Sequence, residues 1–368
     1  MAAKKKKRVV VAMSGGVDSS LAAALLLEQG YEVIGMTMRL WVADEFEAEA
    51  RQSGRGCCSL SSVADARRVA DKLGIPFYVV NFKEQFRQQV VDYFIEEYRR
   101  GRTPNPCIAC NRYMKFDLLL QRALELEADY LATGHYAQIR YDQKIKRYRL
   151  QKAKDSAKDQ TYTLYSLTQK QLAHTLFPLG GYLKSEVRQL AADYGLAVAQ
   201  KPDSQEICFI PDDDYKRFLK EESGLTAETG PILDTSGRQL GTHQGLMNYT
   251  VGQRKGLGIA VGKPLFVVKL DVERNALIVG EDKDVYFSSL IAADCNYILI
   301  EDLKESLPVK IKVRYHAREV AGILTPQSAE RVRVDFAEPE RAVTPGQAVV
   351  FYQNQDVLGG GIIQEAIP

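Results

Sequence analysis

Four histidines and six cysteines in 368 residues leave this chain short of the side chains that most often build metal and acid–base sites. His174, His243 and His316 have no partner at ligand spacing, and none of the four histidines reads as a general base. There is one Cys-x-x-Cys, with no second one and no His-x-x-x-His, so the spacing of a four-ligand zinc site is missing. No apolar run approaches the roughly 18 residues of a membrane helix, which predicts a protein without a transmembrane span. The basic start, Met1 to Arg8, has no apolar segment before the first strand and predicts no secretory signal. Six scattered cysteines then point to a cytoplasmic setting, with thiols kept for catalysis or ligation and not for a disulfide scaffold. A net charge of +2 decides nothing about a polyanionic partner, which only local patches can reveal. The length exceeds a typical single core and predicts two or three domains.

What is present is concentrated at the beginning. Val9 to Met13 is a short apolar run fit for a buried parallel strand, Ser14-Gly15-Gly16 turns the chain, and Asp18, Ser19 and Ser20 open a helix that Gly30 ends. A strand, a glycine turn and a helix start form an anion site, because backbone N–H groups and the positive end of the helix dipole converge there. A Walker loop would place a Lys directly after its glycines, and none is there. Ser-Gly-Gly-x-Asp-Ser instead resembles the loop of the N-type ATP pyrophosphatases, which cleave ATP between the α and β phosphates; the bland alternative is a glycine turn after an ordinary strand.

The chain continues in alternation. Strands are expected at Tyr31 to Met38, Ile75 to Phe82 and Tyr130 to Thr133, with helices at Leu60 to Leu73, along Phe86, Val90, Phe94 and Tyr98, and from Phe116 to Glu127. This predicts an α/β domain with a parallel sheet and helices on both faces, its ligand at the carboxyl ends of the strands. Gly134-His135-Tyr136 follows the fourth strand onto that edge. A hairpin around Asp142 to Lys146 then carries Lys144, Lys146, Arg147, Arg149, Lys152, Lys154 and Lys158, which reads either as a solvated face or as a phosphate-backbone contact. Helices resume around Leu164 to Tyr194, and past Pro211 the texture turns to short β pieces. Thr250 to Gly258 fits neither nucleotide-loop spacing and reads as a basic loop. Repeated short β runs from about Ser289 predict a small C-terminal β-barrel.

Cys107 and Cys110 follow Pro104 and Pro106, which disfavour helix up to Asn105 and pin the loop in place. Cys110 is expected just before a helix entrance at Asn111 to Phe116, where the dipole and nearby Lys and Arg would favour its thiolate. Cys208 joins them only if the fold brings it there. Cys57 and Cys58 read as structural thiols, and Cys295 as a small buried hydrophobe.

Along essentially its whole length the sequence resembles the tRNA-specific 2-thiouridylases. The resemblance is carried by AMSGGVDSS at Ala12 to Ser20, the segment Thr103 to Asn111, TGHYA at Thr133 to Ala137, KDQTY at Lys158 to Tyr162, SQEICFI at Ser204 to Ile210, YTVGQRKGLGI at Tyr249 to Ile259 and VRYHAR at Val313 to Arg318. It implies a PP-loop ATPase domain at residues 1–208, of the adenine nucleotide alpha hydrolase-like fold, a central linker and tRNA-binding domain at 209–285, and the barrel at 286–368. The implied reaction is sulfur transfer to C2 of the wobble uridine, position 34, in tRNAs for Lys, Glu and Gln, with ATP and Mg²⁺ as cofactors and a sulfur-donor or sulfur-relay protein as partner. By the same resemblance Ala12, Met13, Ser14, Gly15, Gly16, Val17, Asp18, Ser19, Met38 and Gly134 bind ATP, and Asn105, Pro106 and Cys107 meet the target base. His135, Lys158, Asp159, Gln160, Arg314, Tyr315 and Gln347 contact tRNA. Cys208 carries a persulfide and Cys110 is the nucleophile or resolving thiol, the two ending in a disulfide.

One departure stands out: many family members have Asp where this chain has Cys107. Cys107, Cys110 and Cys208 together could instead hold three irons of a [4Fe-4S] cluster whose fourth iron binds the sulfide to be transferred, and this alternative gives Cys107 a role. Two other readings compete with thiolation. A lysidine synthetase-like or amidotransferase-type enzyme with the same loop would not need Cys110 and Cys208, and a non-catalytic RNA-binding protein that senses ATP would not release pyrophosphate.

Overall fold

The computed structural model describes residues 6–41, 60–203, 207–210, 212–224, 228–328 and 330–368; Cys57, Cys58 and the stretch Ser204 to Glu206 lie outside the described residues. The chain folds as two compact units: one of residues 1–90, 106–213 and 355–357, the other of residues 91–105, 214–354 and 358–368. No helix among the described residues is long and apolar enough to cross a membrane.

The first unit is built on a parallel sheet. Strand β1 (Arg8–Ala12) lies between β2 (Glu32–Arg39) and β4 (Tyr130–Ala132), with β3 (Phe77–Asn81) outside β2. A two-residue strand at Thr175–Leu176 adds to β4 on the other edge. Val9, Val10 and Val11 are fully buried, as a central strand covered on both faces requires. Helix α1 (Val17–Glu28) is buried along nearly its whole length, and its Leu21, Ala22, Leu25 and Leu26 share one core with Val9 and Val11. Helix α2 (Leu60–Leu73) adds Ala66, Val69 and Ala70 to that core. Gly30 ends the α1 turn with φ of 87°, a conformation that suits glycine. Because β1 has β2 on one side and β4 on the other, the strand order reverses direction at β1. Crevices at the carboxyl ends of such strands are where open α/β sheets bind ligands.

Two local readings of the sequence are corrected. The helix expected from Phe116 begins ten residues earlier, at Pro106: an α-helical turn, Pro106–Ala109, runs into a π-helical stretch, Cys110–Leu119, and then an α-helix at Leu120–Glu125. Proline suits the first helical position, where its missing N–H is not needed. The strand at Thr175–Leu176 was hidden inside a stretch read as helical, being only two residues long. The expected hairpin forms as β5 (Gln138–Asp142) and β6 (Arg147–Gln151), antiparallel, with Tyr141 and Tyr148 paired across it at 4.9 Å.

In the second unit a four-stranded sheet runs between Gly230 and Gly280, and the six strands between Tyr286 and Ile367 pair around a ring in the order first, fourth, third, second, fifth, sixth, the sixth closing on the first. This closes a barrel around Leu290, Ile311, Leu324, Val334 and Phe351, all with no exposed surface. One barrel strand, Val320–Pro326, was not anticipated from its residues. Its Gly322 breaks the apolar pattern because a Cβ there would come within 2.5 Å of the Asp335 carbonyl oxygen on the neighbouring strand.

Candidate active site

The loop from Ser14 to Ser19 is shaped by its glycines. Gly15 has φ of 72°, and a Cβ on it would lie 2.2 Å from the carbonyl oxygen of Ser62. Gly16 is the N-cap of α1, and no side chain caps that helix. The helix N-terminus thus keeps donors for a ligand, in the way anion sites do. The loop is braced from within: the Ser14 backbone N–H donates to Ser19 Oγ at 3.1 Å, and the Ser20 hydroxyl donates to Gly16 O at 2.8 Å. Gly134, at the end of β4, comes so close that a Cβ would sit 2.7 Å from the Ser19 nitrogen. Ala12 ends β1 with Met13 directly after it, and Met38 lies towards the carboxyl end of β2. All ten residues expected at ATP therefore fall along one edge of the sheet.

The loop lacks its own lysine, but two arrive from far along the chain. Lys184, at the start of a helix (Lys184–Asp193), places Nζ 2.8 Å from both carboxylate oxygens of Asp18 and 2.9 Å from Asp203 Oδ1. Lys201 Nζ donates to Gly15 O at 3.1 Å and pairs with Asp65 at 2.7 Å. Asp203 also receives Lys158 at 2.7 Å and Arg188 at 3.0 Å. Burial alone would push the Asp203 carboxyl up, but hydrogen bonds from Lys158 and Lys184 outweigh it and hold the group below the usual carboxylate range. The Tyr136 hydroxyl donates to Asp18 Oδ1 at 2.7 Å, and burial beside that carboxylate raises its pKa well above the ordinary phenol value. Lys184, Lys201, Asp65 and Asp203 were not picked out from the sequence. Isolated acidic and basic residues so far apart look like surface charge, and no local spacing marks them.

The cysteines are placed differently from expectation. Cys110 is not ahead of a helix but inside one, buried at the first π-helical position, while Cys107 in the first turn is exposed. The helix dipole therefore acts on Cys107 more than on Cys110. Cys208 is half-buried, and none of Cys107, Cys110, Cys208 and Cys295 is in a disulfide. Burial pushes the Cys295 thiol up to about 12, which suits the inert small hydrophobe expected there. Among the described residues no group of three or more His, Cys, Asp or Glu side chains is arranged to hold a metal ion. A [4Fe-4S] cluster on Cys107, Cys110 and Cys208 would need the three thiolates gathered around it.

Of the residues expected at tRNA, several have internal partners. His135 is buried between Phe116 and Phe177, with Nδ1 2.7 Å from Thr133 Oγ1. Burial, then the nearby Lys115, pushes its pKa well below the ordinary histidine value, so its ring is neutral. Asp159 accepts from the Ala153 N–H and the Thr161 hydroxyl, and Gln160 accepts from the Tyr136 N–H. In the second unit Gln347 Nε2 donates to Thr103 O at 2.8 Å, fastening the loop that carries Asn105. Arg314 and Tyr315 follow a barrel strand and are half-buried. Within the basic hairpin neighbourhood Arg149 pairs with Asp142 and Asp356, Lys154 with Glu186 and Lys158 with Asp203, whereas Lys144 and Lys146 are exposed at the turn.

Comparison with known proteins places the chain. Residues 7–212 match the model of the tRNA methyl transferase HUP domain, residues 216–281 the tRNA methyl transferase PRC-barrel domain, and residues 287–363 the aminomethyltransferase beta-barrel domain. The tRNA-specific 2-thiouridylase MnmA of Symbiobacterium thermophilum is 58% identical over 350 residues, covering 95% of this chain and 90% of its own. The protein of the same name from Acetivibrio thermocellus is 55% identical over 346 residues, covering 94% of this chain and 96% of its own. With that likeness covering about 95% of the sequence, the chain belongs to the tRNA-specific 2-thiouridylase family, within the PP-loop ATP pyrophosphatases.

Proposed function

We propose that the protein is an ATP-dependent tRNA-uridine 2-sulfurtransferase acting on the wobble uridine of tRNAs for Lys, Glu and Gln. The observation that carries this reading is the uncapped α1 N-terminus behind Gly15 and Gly16, in a chain so similar to proteins named for that activity. The C2 oxygen of uracil is a poor leaving group. It attacks the α-phosphate of ATP, and pyrophosphate leaves into the Ser14 to Ser19 loop. Backbone donors there, with Lys184 and Lys201 close by, stabilise the charge that develops. Mg²⁺ carried on the phosphates would offset their charge; an ion so held needs only one or two protein carboxylates, and Asp18 lies in the loop to serve.

Sulfur follows. A sulfur-donor protein would load Cys208 as a persulfide, whose terminal sulfur attacks C2 and expels AMP. The Cys110 thiolate then attacks the Cys208 sulfur, leaving 2-thiouridine and a Cys110–Cys208 disulfide, and an external thiol reductant reopens it. A base in an anticodon loop must be splayed out to be reached, and the proline-held segment Asn105, Pro106 and Cys107 would receive it. His135, Lys158, Asp159, Gln160, Arg314, Tyr315 and Gln347 would serve the tRNA side, some by shaping the surface from within.

The test is thiolation of an unmodified tRNA transcript for Lys with ATP and a persulfide donor, measured beside pyrophosphate release. Cys208→Ala should abolish thiolation while tRNA-dependent pyrophosphate release persists. Thiolation undiminished in that variant would refute the persulfide route, whereas a wild type that releases pyrophosphate without thiolating tRNA would favour an enzyme that uses the same loop for other chemistry.

A further inference from the structure

Lys184 is held by carboxylates from two separate parts of the chain. Only 12% of its side chain is exposed, and its ammonium bridges Asp18 of the phosphate loop and Asp203. An ammonium so withdrawn from water needs matched acceptors, and these two supply them. Asp203 stands five residues before Cys208. A second tie runs alongside: Lys201 Nζ reaches back to Gly15 O. From behind, Arg188 donates to the carbonyl oxygens of Ala199 and Lys201 and to Asp203. Residues 199–203, which lead towards Cys208, are thus fastened to the loop that would hold a polyphosphate.

A polyphosphate in that loop competes with Asp18 and Asp203 for the same ammonium. Whatever share of Lys184 it takes, Asp203 loses, so the restraint on the chain leading to Cys208 changes with the occupancy of the loop. We propose that Lys184 is a positioning residue that joins the nucleotide loop to the segment approaching Cys208, so that a bound polyphosphate alters the reactivity of the Cys208 thiol. This rests on the proposed reading of the loop as an ATP site. It orders the reaction: the sulfur carrier responds to the presence of nucleotide through one shared cation.

The experiment uses the full chain with α,β-methylene-ATP, which cannot be cleaved between the α and β phosphates. Nucleotide binding is measured by titration, and alkylation of Cys208 by iodoacetamide is followed by mass spectrometry with and without nucleotide. In the wild type the alkylation rate should change by about fivefold or more, the lower end of typical coupling between sites. Lys184→Met should remove that response at saturating nucleotide, and Lys184→Arg should retain it, each variant being checked for a cooperative melting transition. If Lys184→Met does not fold, Asp203→Asn carries the same expectation, since it leaves Lys184 on Asp18 but removes the charge through which Lys184 holds the segment. A wild type that binds nucleotide without any change at Cys208, or a Lys184→Met variant that responds like the wild type, would overturn the proposal. A wild type that binds no nucleotide would overturn the reading of the loop itself.

Discussion

Replacing Gly134 with Ala puts a methyl carbon where the start of α1 already lies. The added carbon would meet the Ser19 nitrogen at 2.7 Å, the Asp18 carbonyl carbon at 2.8 Å and the Asp18 Cβ at 2.9 Å. Carbon contacts are comfortable from roughly 3.5 Å, so about 0.7 Å must be found. Two of the three obstacles are backbone atoms of the phosphate loop and its helix, which cannot rotate away as a side chain end can. Overpacking of this kind typically costs about 1–3 kcal/mol. Displacing α1 by most of an ångström also moves the loop off the phosphates, and a misplacement near 1 Å can cost about 100-fold in rate. Gly181→Ala is the matched control, because a Cβ there meets nothing within 4 Å, and its effect on stability should stay within about 0.5 kcal/mol. The assay is tRNA-dependent pyrophosphate release against ATP concentration, with thermal melting of both variants. Gly134→Ala should lower kcat/KM for ATP by one to two orders of magnitude. A Gly134→Ala enzyme with the kcat/KM of the wild type would show that the close approach of β4 to α1 does not set the loop.

Three further expectations test other parts of the reading. His135 is neutral when folded, while in the unfolded chain it takes up a proton near pH 6.5, so stability is lost as pH falls below that value, by up to about 1.4 kcal/mol per pH unit. His135→Phe should flatten the dependence of melting temperature on pH between 7 and 5, and an unchanged dependence would refute a buried neutral ring. Exposed Lys144 and Lys146 should supply phosphate contacts: the double change to Glu should weaken tRNA binding and reduce the salt slope by up to about one per lysine, whereas an unchanged slope would make the turn a solvated face. Protein purified without oxygen should carry only trace iron, and Cys107→Ala should still thiolate tRNA from a persulfide donor. About four irons per chain, lost in that variant, would instead establish the cluster.

The phosphate loop and the alternation of strands and helices were legible because each depends on neighbours in the chain. Val9 to Ser20 contains its own strand, turn and helix start, so local propensity and the glycines suffice to read it. The hairpin at Gln138 to Gln151 declared itself by period-two patterning, and the barrel by its succession of short β runs. The cations that serve the loop were not legible: Lys184 and Asp203 are far in sequence from Asp18, and only the packing of the Lys184 helix and residues 199–203 against the loop brings them within 3 Å. The placement of Cys110 failed locally for a related reason. The helix entrance is expected at Asn111, with the prolines disfavouring helix up to Asn105, but proline is accepted at a first helical position, and tertiary packing of Ile108, Ala109, Cys110 and Met114 decided in favour of a helix that starts at Pro106. Gly322 shows the same limit in the barrel, where a neighbouring strand and not the local pattern demands glycine. The amino-acid order alone thus determined the anion-binding loop and the kind of domain around it. Which distant charges complete that loop, and where the thiols stand, was decided by tertiary contacts whose energies depend on groups that no sequence window contains together.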